Sequence, residues 1–123
     1  MEEKKLVLLV DDEPDVIEHV GSILKKNNFE VVSASKGKEA LELALIHKPD
    51  IILLDVFLPD IDGGEVASRL TLNPQTKDIP IIYLTGLITK QEQEVPEKIG
   101  KYFVIAKPIL ESELIPLIQK VLS

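Results

Sequence analysis

The sequence predicts an α/β fold in which helices cover both faces of a parallel β-sheet. Five short apolar segments alternate with segments of helical periodicity, an order typical of parallel strands joined by crossover helices. Two of these segments, residues 6–10 and 51–54, contain no polar residue, as expected of strands buried on both faces. The chain has 123 residues, and we expect residues 1–123 to form a single domain with no output domain attached.

Composition excludes several classes of protein and site. The net charge of −7 disfavours direct nucleic-acid binding, because contacts with phosphates need a basic surface. No cysteine is present, which excludes disulfides and thiolate metal sites. No apolar run approaches the length of a membrane span, and the first residues lack the pattern of a signal peptide. The expected location is therefore the cytoplasm.

The first half of the chain contains two predicted strands and two predicted helices. Residues 6–10 form a strand that is followed by acidic residues, and Pro14 suits the first turn of a helix. The apolar face of that helix has helical spacing and consists of Val16, Ile17, Val20, Ile23 and Leu24. Residues 31–34 predict a strand nearer an edge, and Gly37 opens a second helix that ends before Pro49.

The central strand, residues 51–55, is the most strongly apolar segment and ends in the carboxylate Asp55. A turn at residues 62–64 leads into a third helix around residues 65–72, and a fourth strand ends at Thr85. A weaker helix is predicted from about Lys90, where Pro96 interrupts it. The fifth strand, residues 102–106, precedes Lys107, and a last helix around residues 111–122 contains Pro116.

Polar residues follow four of the predicted strands: Asp11, Asp12, Asp55, Thr85 and Lys107. The carboxyl ends of parallel strands meet at one edge of a sheet, so these side chains are expected to converge on one cleft. Two carboxylates about 4 Å apart repel each other by roughly 4 kcal/mol at an effective dielectric near 20. An all-oxygen acidic cluster of this kind favours Mg²⁺ or Mn²⁺.

A nucleophilic role for Asp55 follows from the same cluster, since a carboxylate can attack phosphorus and form an aspartyl phosphate. The metal, Lys107 and Thr85 would hold the phosphoryl oxygens as charge develops on them. Each residue also has an ordinary structural explanation when taken alone. Asp11 and Asp12 could equally well cap the first helix, and Thr85 could simply end a strand.

Four motifs in this order resemble the receiver domain of two-component response regulators, the chemotaxis-Y-like family. They occupy residues 8–14 (LLVDDEP), residues 52–59 (ILLDVFLP) with Asp62-Gly63, residues 83–86 (YLTG) and residues 106–108 (AKP). The resemblance covers essentially the whole chain. It implies a flavodoxin-like, doubly wound sheet of five parallel strands in the order 2-1-3-4-5, with five helices.

The resemblance also implies the roles of the site residues. Asp55 would accept a phosphoryl group from a histidine kinase or a histidine phosphotransfer protein. Asp12 and Asp55 would bind Mg²⁺ directly together with the backbone carbonyl of Phe57, while Asp11 would act mainly through water. Thr85 would hydrogen-bond the phosphoryl group and Lys107 would pair with it. A cis peptide bond before Pro108 is a further expectation.

The sequence departs from the family pattern where the signal leaves the domain. The family's switch position, usually Tyr or Phe, is Val104 here, and the aromatic residues Phe103 and Tyr102 stand one and two places earlier. Pro96 and Pro116 fall in the last two predicted helices, which with the fifth strand form the family's usual output face. We therefore expect that face to dock a downstream protein partner, with the domain a monomer or a phosphorylation-dependent dimer.

Two other functions compete with a signalling module. A Mg²⁺-dependent phosphohydrolase like the haloacid dehalogenases would use Asp11 as nucleophile, but that family needs a second aspartate where Glu13 stands, and a substrate cap. A phosphate-independent scaffold would not require the complete set of charged pocket residues. Nucleotide binding is poorly supported, because neither G-x-x-x-x-G-K-[ST] nor G-x-G-x-x-G is present.

Overall fold

The computed structural model describes residues 4–86 and 98–123, which form one sheet with helices on both of its faces. The strands are β1 (Leu6–Val10), β2 (Glu30–Ala34), β3 (Ile51–Asp55), β4 (Ile81–Thr85), β5 (Lys98–Ile99) and β6 (Tyr102–Ala106). The helices are α1 (Pro14–Lys26), α2 (Gly37–His47), α3 (Gly63–Leu72) and α4 (Glu111–Leu122). No helix in these ranges is long and apolar enough to cross a membrane.

The strand order is β2-β1-β3-β4-β6-β5. All neighbours pair in parallel except β5 and β6, which are antiparallel. The five predicted strands therefore have the expected order, with β6 as the fifth. The predicted count of five strands is wrong, because β5 adds a sixth at the edge.

The additional strand β5 arises from a hairpin that is too short to produce a periodic sequence signal. Ile99 pairs with Tyr102, so only Gly100 and Lys101 lie in the loop. Gly100 has a φ of 61°, a left-handed conformation that two-residue hairpin turns commonly require. Of the five predicted helices, four are observed; the helix predicted from about Lys90, with Pro96, lies outside the described residues.

The core consists of two apolar layers, one on each face of the sheet. Alternate residues of the strands point to opposite faces, so β3 contributes Ile51 and Leu53 to one layer and Ile52 and Leu54 to the other. Helices α1 and α4 cover the first layer, and α2 and α3 cover the second. Every residue of β3 is buried, which confirms the prediction of a strand covered on both faces.

The start of α3 is held tightly against the end of β3. Gly63 donates its backbone N–H to the carbonyl of Val56 at 2.7 Å, and the side chain of Asp62 caps the helix by accepting from the N–H of Glu65. A Cβ atom on Gly63 would lie 2.5 Å from the carbonyl oxygen of Asp55 and 2.9 Å from the Cα of Val56. Only glycine therefore permits this close approach, which fixes the backbone on either side of Asp55.

Replacement of Gly63 by alanine is expected to destabilise the protein by about 1–3 kcal/mol, because the backbone at the end of β3 must move to admit the methyl group. Gly21→Ala is the matched control. A Cβ there meets nothing within 4 Å, and alanine in a helix interior stabilises by up to about 1 kcal/mol. Urea unfolding of both variants measures the difference, and equal stabilities would contradict the close approach.

Candidate functional site

The carboxyl ends of β1, β3 and β6 bring three charged side chains together. The strand register places Val10 beside Leu54, so that Asp11 and Asp55 follow at the same edge of the sheet. The Nζ of Lys107, which follows β6, lies 2.8 Å from Oδ2 of Asp11 and 3.4 Å from Oδ2 of Asp55. The predicted convergence of these residues is thus observed.

Asp11 does not cap the first helix. Its side chain is completely buried, Oδ1 accepts the backbone N–H of Glu13, and Oδ2 faces the ammonium group of Lys107. The residue at the N-cap of α1 is Glu13, and no side chain there accepts a capping hydrogen bond. The alternative explanation of Asp11 and Asp12 as helix caps is therefore wrong. Asp12 is exposed beside the cleft and is free to contribute a ligand to it.

Asp55 is buried where the central strand ends, with 4% of its surface exposed. Its Oδ1 accepts the backbone N–H of Phe57 at 3.2 Å, and its Oδ2 accepts from Lys107. Burial raises the pKa of the Asp55 carboxyl, and the neighbouring Asp11 raises it further, while the Phe57 N–H and Lys107 act in the opposite direction. The hydrogen bonds of Asp55 therefore hold its carboxylate in place, although burial and the charge of Asp11 disfavour the ionised form.

Lys107 pairs with the carboxylates of this cluster and balances part of their charge. Burial lowers the pKa of its ammonium group, but pairing with Asp11, Glu13 and Asp55 outweighs this and raises the pKa above its ordinary value. The backbone N–H of Lys107 donates to the carbonyl of Thr85 at 2.7 Å. The peptide bond between Lys107 and Pro108 is cis, as expected from the resemblance.

Glu13 belongs to the cluster although it was not predicted as a site residue. Its Oε1 lies 3.1 Å from the Nζ of Lys107, while most of its side chain is exposed. The sequence feature that could have identified Glu13 as a site residue is its place in the acidic run directly after β1. Because a glutamate reaches farther than an aspartate, its carboxylate bends back over the end of the strand to Lys107.

The donor set suits a divalent cation. One carboxylate oxygen from each of four residues, Asp11, Asp12, Glu13 and Asp55, lies within 4.8 Å of the others. Carboxylate oxygens without histidine or cysteine are the ligands that Mg²⁺ prefers, and the excess of negative charge over Lys107 favours a cation. An adjacent cavity of about 530 Å³ is lined by Asp12, Glu13, Asp55, Phe57, Gly86 and Lys107.

Thr85 is buried at the end of β4, directly before the lining residue Gly86, so it stands at the predicted edge of the sheet. Phe57 places its half-exposed ring in the cavity wall. The metal-binding role of its backbone carbonyl stays a prediction, as does the contact of Thr85 with a phosphoryl group.

The three residues at the predicted switch lie away from the cavity. Val104 is buried in the layer beneath α2 and α3. Tyr102 lies two residues earlier, its ring edge-on to Tyr83 at 5.5 Å between centroids and its hydroxyl 2.7 Å from that of Thr71 on α3. Phe103 packs against the other layer, the one covered by α1 and α4. A switching role for these residues stays a prediction.

Comparison with known proteins gives consistent results across families, sequences and structures. The family model described as "Response regulator receiver domain" matches residues 7–119. Protein PilH of Pseudomonas aeruginosa is 31% identical over 117 residues, which cover 95% of this chain and 97% of PilH. The crystal structure of the chemotaxis protein CheY4 of Vibrio cholerae superposes with a TM-score of 0.82 at 30% identity, covering 96% of this chain and 98% of CheY4.

Some relatives are much longer than this chain. A Vibrio cholerae protein named "Probable cyclic di-GMP phosphodiesterase" is 33% identical over 103 residues, and the match covers 84% of this chain but 23% of that protein. The matched region thus occurs both as nearly the whole of some relatives and as one part of others.

The raised pKa of Asp55 predicts a pH-dependent effect of Asp55→Asn on stability in Mg²⁺-free buffer. The folded state holds this proton more tightly than the unfolded state, so stability present at low pH is lost as pH rises through the folded pKa. Asparagine escapes that loss and should therefore stabilise the protein at pH 7. The gain should shrink as pH falls towards 4.

Urea unfolding at several pH values measures this difference. Asp78→Asn, at an exposed position, is the control and is expected to change stability by no more than about 0.5 kcal/mol. A gain for Asp55→Asn that does not depend on pH would contradict the assignment of the raised pKa.

Proposed function

The chain belongs to the response regulator receiver domain family, and from this premise we propose that Asp55 is the residue that accepts the phosphoryl group. Members of this family are phosphorylation-switched signalling modules, so the chain is one as well. The observation that carries the proposal is the position of Asp55. Its carboxylate ends the fully buried central strand, borders the cavity and lies beside Lys107, the one lysine among the described residues of that cavity's lining.

In the proposed reaction, an Asp55 carboxylate oxygen forms a bond to phosphorus while the bond from phosphorus to a donor's histidine nitrogen breaks. The histidine ring of the kinase or phosphotransfer protein keeps the electron pair and then takes up a proton. The N–H of Phe57 holds Oδ1 of Asp55 at 3.2 Å, so the carboxylate is oriented before the donor arrives. Burial keeps the hydration of this nucleophile low.

Lys107 and Thr85 are proposed to hold the transferred group. The ammonium group of Lys107 already lies 3.4 Å from Oδ2 of Asp55, so a small displacement would pair it with a phosphoryl oxygen. That displacement would loosen its contacts with Asp11 and Glu13, which links the state of Asp55 to the end of β1. Thr85, at the end of β4, would donate its hydroxyl to the phosphoryl group.

Mg²⁺, or Mn²⁺, is the proposed cofactor, held by Asp12, Asp55 and the carbonyl of Phe57, with Asp11 acting through water. When bound, the ion neutralises charge on the phosphoryl oxygens and on the carboxylate cluster. The four carboxylates of the cluster are well suited to it, because Lys107 alone leaves their charge in excess.

A signalling role fits the site better than a hydrolase that uses Asp11 as nucleophile. Asp11 is completely buried, and both of its oxygens already face partners in the cluster. We further propose that the domain acts in the cytoplasm and docks a downstream protein through β6, α4 and the helix predicted from about Lys90. In the same proposal, the domain acts either as a monomer or as a dimer that forms on phosphorylation.

Incubation with Mg²⁺ and acetyl phosphate, followed by intact-mass measurement, tests the proposal. The unmodified chain is expected to gain one phosphoryl group, because acetyl phosphate can replace the donor protein. Asp55→Asn should gain none, and Asp78→Asn, at an exposed position away from the cavity, should gain the group like the unmodified chain. Removal of Mg²⁺ with a chelator should also prevent the reaction.

Two results would contradict the proposal. Phosphorylation that persists in Asp55→Asn would place the acceptor elsewhere. Continued release of inorganic phosphate by Asp55→Asn, over many turnovers, would instead favour a hydrolase that uses another carboxylate.

A further inference from the structure

A second cavity lies at the opposite end of the sheet from Asp55. It has a volume of about 500 Å³ and lies where β4 and β6 begin, between the loop that precedes β4 and the last turn of α4. We call it the lysine groove; its lining consists of Lys77, Asp78, Ile79, Pro80, Ile81, Lys101, Tyr102, Phe103, Lys120 and Val121. This volume is within the range of small-molecule sites.

The groove concentrates positive charge in a chain whose net charge is −7. Lys77, Lys101 and Lys120 line it, and Asp78 is the one carboxylate among the lining residues that the structure describes. A fourth lysine, Lys98, stands beside it over the ring of Phe103. In the described part of the chain, Lys77, Lys98 and Lys101 form no ion pair. The local charge is therefore suited to an anion, although the protein as a whole repels anions.

Three of these ammonium groups lie over aromatic rings. The Nζ of Lys98 lies 4.5 Å from the centroid of Phe103, that of Lys120 lies 5.1 Å from the same centroid, and that of Lys101 lies 5.3 Å from the centroid of Tyr102. Tyr102 is itself held by the hydroxyl of Thr71. Each of these contacts favours the observed position of its lysine side chain, so an anion would lose less affinity to the immobilisation of these side chains.

The lining also has an apolar part, formed by Ile79, Pro80, Ile81 and Val121. A bare inorganic anion would leave this part uncovered, whereas a molecule with a flat ring would cover it. Phosphate groups match several ammonium groups at once, because each carries up to two charges and three acceptor oxygens. We propose that the lysine groove binds a small phosphorylated molecule whose ring lies on this apolar part.

A titration of the ¹⁵N-labelled full chain, followed by two-dimensional NMR in Mg²⁺-free buffer, tests this with two probes. Inorganic pyrophosphate supplies the anion alone, and adenosine diphosphate supplies the same anion with a ring. Both are expected to cause saturable shifts at the amides of residues 77–79, 101–103 and 120–121. Adenosine diphosphate should bind more tightly, and added salt should weaken both.

Substitutions distinguish specific binding in the lysine groove from a general attraction of the anionic probes to exposed lysines. Lys98→Gln and Lys101→Gln should each weaken binding about fivefold, the effect of removing one exposed charge pair. Lys25→Gln, at an exposed position on α1, should leave binding unchanged. Lys101→Gln should still be phosphorylated on Asp55, so a failure of the groove is distinguishable from a failure of the proposed acceptor.

Three outcomes would overturn the inference. No saturable shift with either probe would exclude the site, and equal weakening by Lys25→Gln would show only general charge attraction. Equal affinities for pyrophosphate and adenosine diphosphate would exclude a role for the apolar part and, with it, the proposed class of ligand.

Discussion

The ion pairing of one ammonium group with buried carboxylates is the constraint on which the site depends. The Nζ of Lys107 lies within 3.4 Å of carboxylate oxygens of Asp11, Glu13 and Asp55. Carboxylates packed this closely repel each other by several kcal/mol, and burial adds a cost for the charges of Asp11 and Asp55. One lysine cannot balance all of them. The remaining excess of negative charge is what makes the site receptive to a divalent cation and, together with it, to a phosphoryl group.

The sheet makes this arrangement possible because its interior is almost entirely aliphatic. The buried residues of β1 and β3 fix the register between the strands, and the register aligns the residues that follow them. Gly63 allows α3 to close against the end of β3, which holds the backbone around Asp55. The geometry of the site is therefore a consequence of strand length and register. Its charged residues lower the stability of the fold and do not contribute to it.

The sequence was most informative where a pattern extends over several residues. Continuous apolar strands and the polar residues that end them predicted a parallel sheet and the meeting of Asp11, Asp55 and Lys107, whereas the strand order was implied by the family resemblance. Single residues with two possible partners were harder to predict. Asp11 could have capped α1, and only the folded backbone shows that it turns towards Lys107. Glu13 was missed because its role depends on the reach of its side chain. Strand β5 was missed because a two-residue strand has no periodicity.

The two ends of the sheet differ in charge and are joined by β4 and β6. The carboxyl ends of these strands meet the acidic site, and their amino ends meet the lysine groove. Tyr102 and Phe103 begin β6 and contact opposite layers of the core, whereas Val104 is buried between them and the site. The two aromatic residues therefore line the groove and not the cavity beside Asp55.

The most direct test of the central constraint is an NMR titration of the Asp55 carboxyl carbon in Mg²⁺-free buffer. The comparison is between the unmodified chain and Lys107→Gln, whose folding is checked by circular dichroism. Lys107 lowers the pKa of Asp55 through its charge and its hydrogen bond, against the effect of burial. Its loss should therefore raise the pKa of Asp55 further above the ordinary value. An unchanged or lower pKa in Lys107→Gln would show that Lys107 does not hold the carboxylates together.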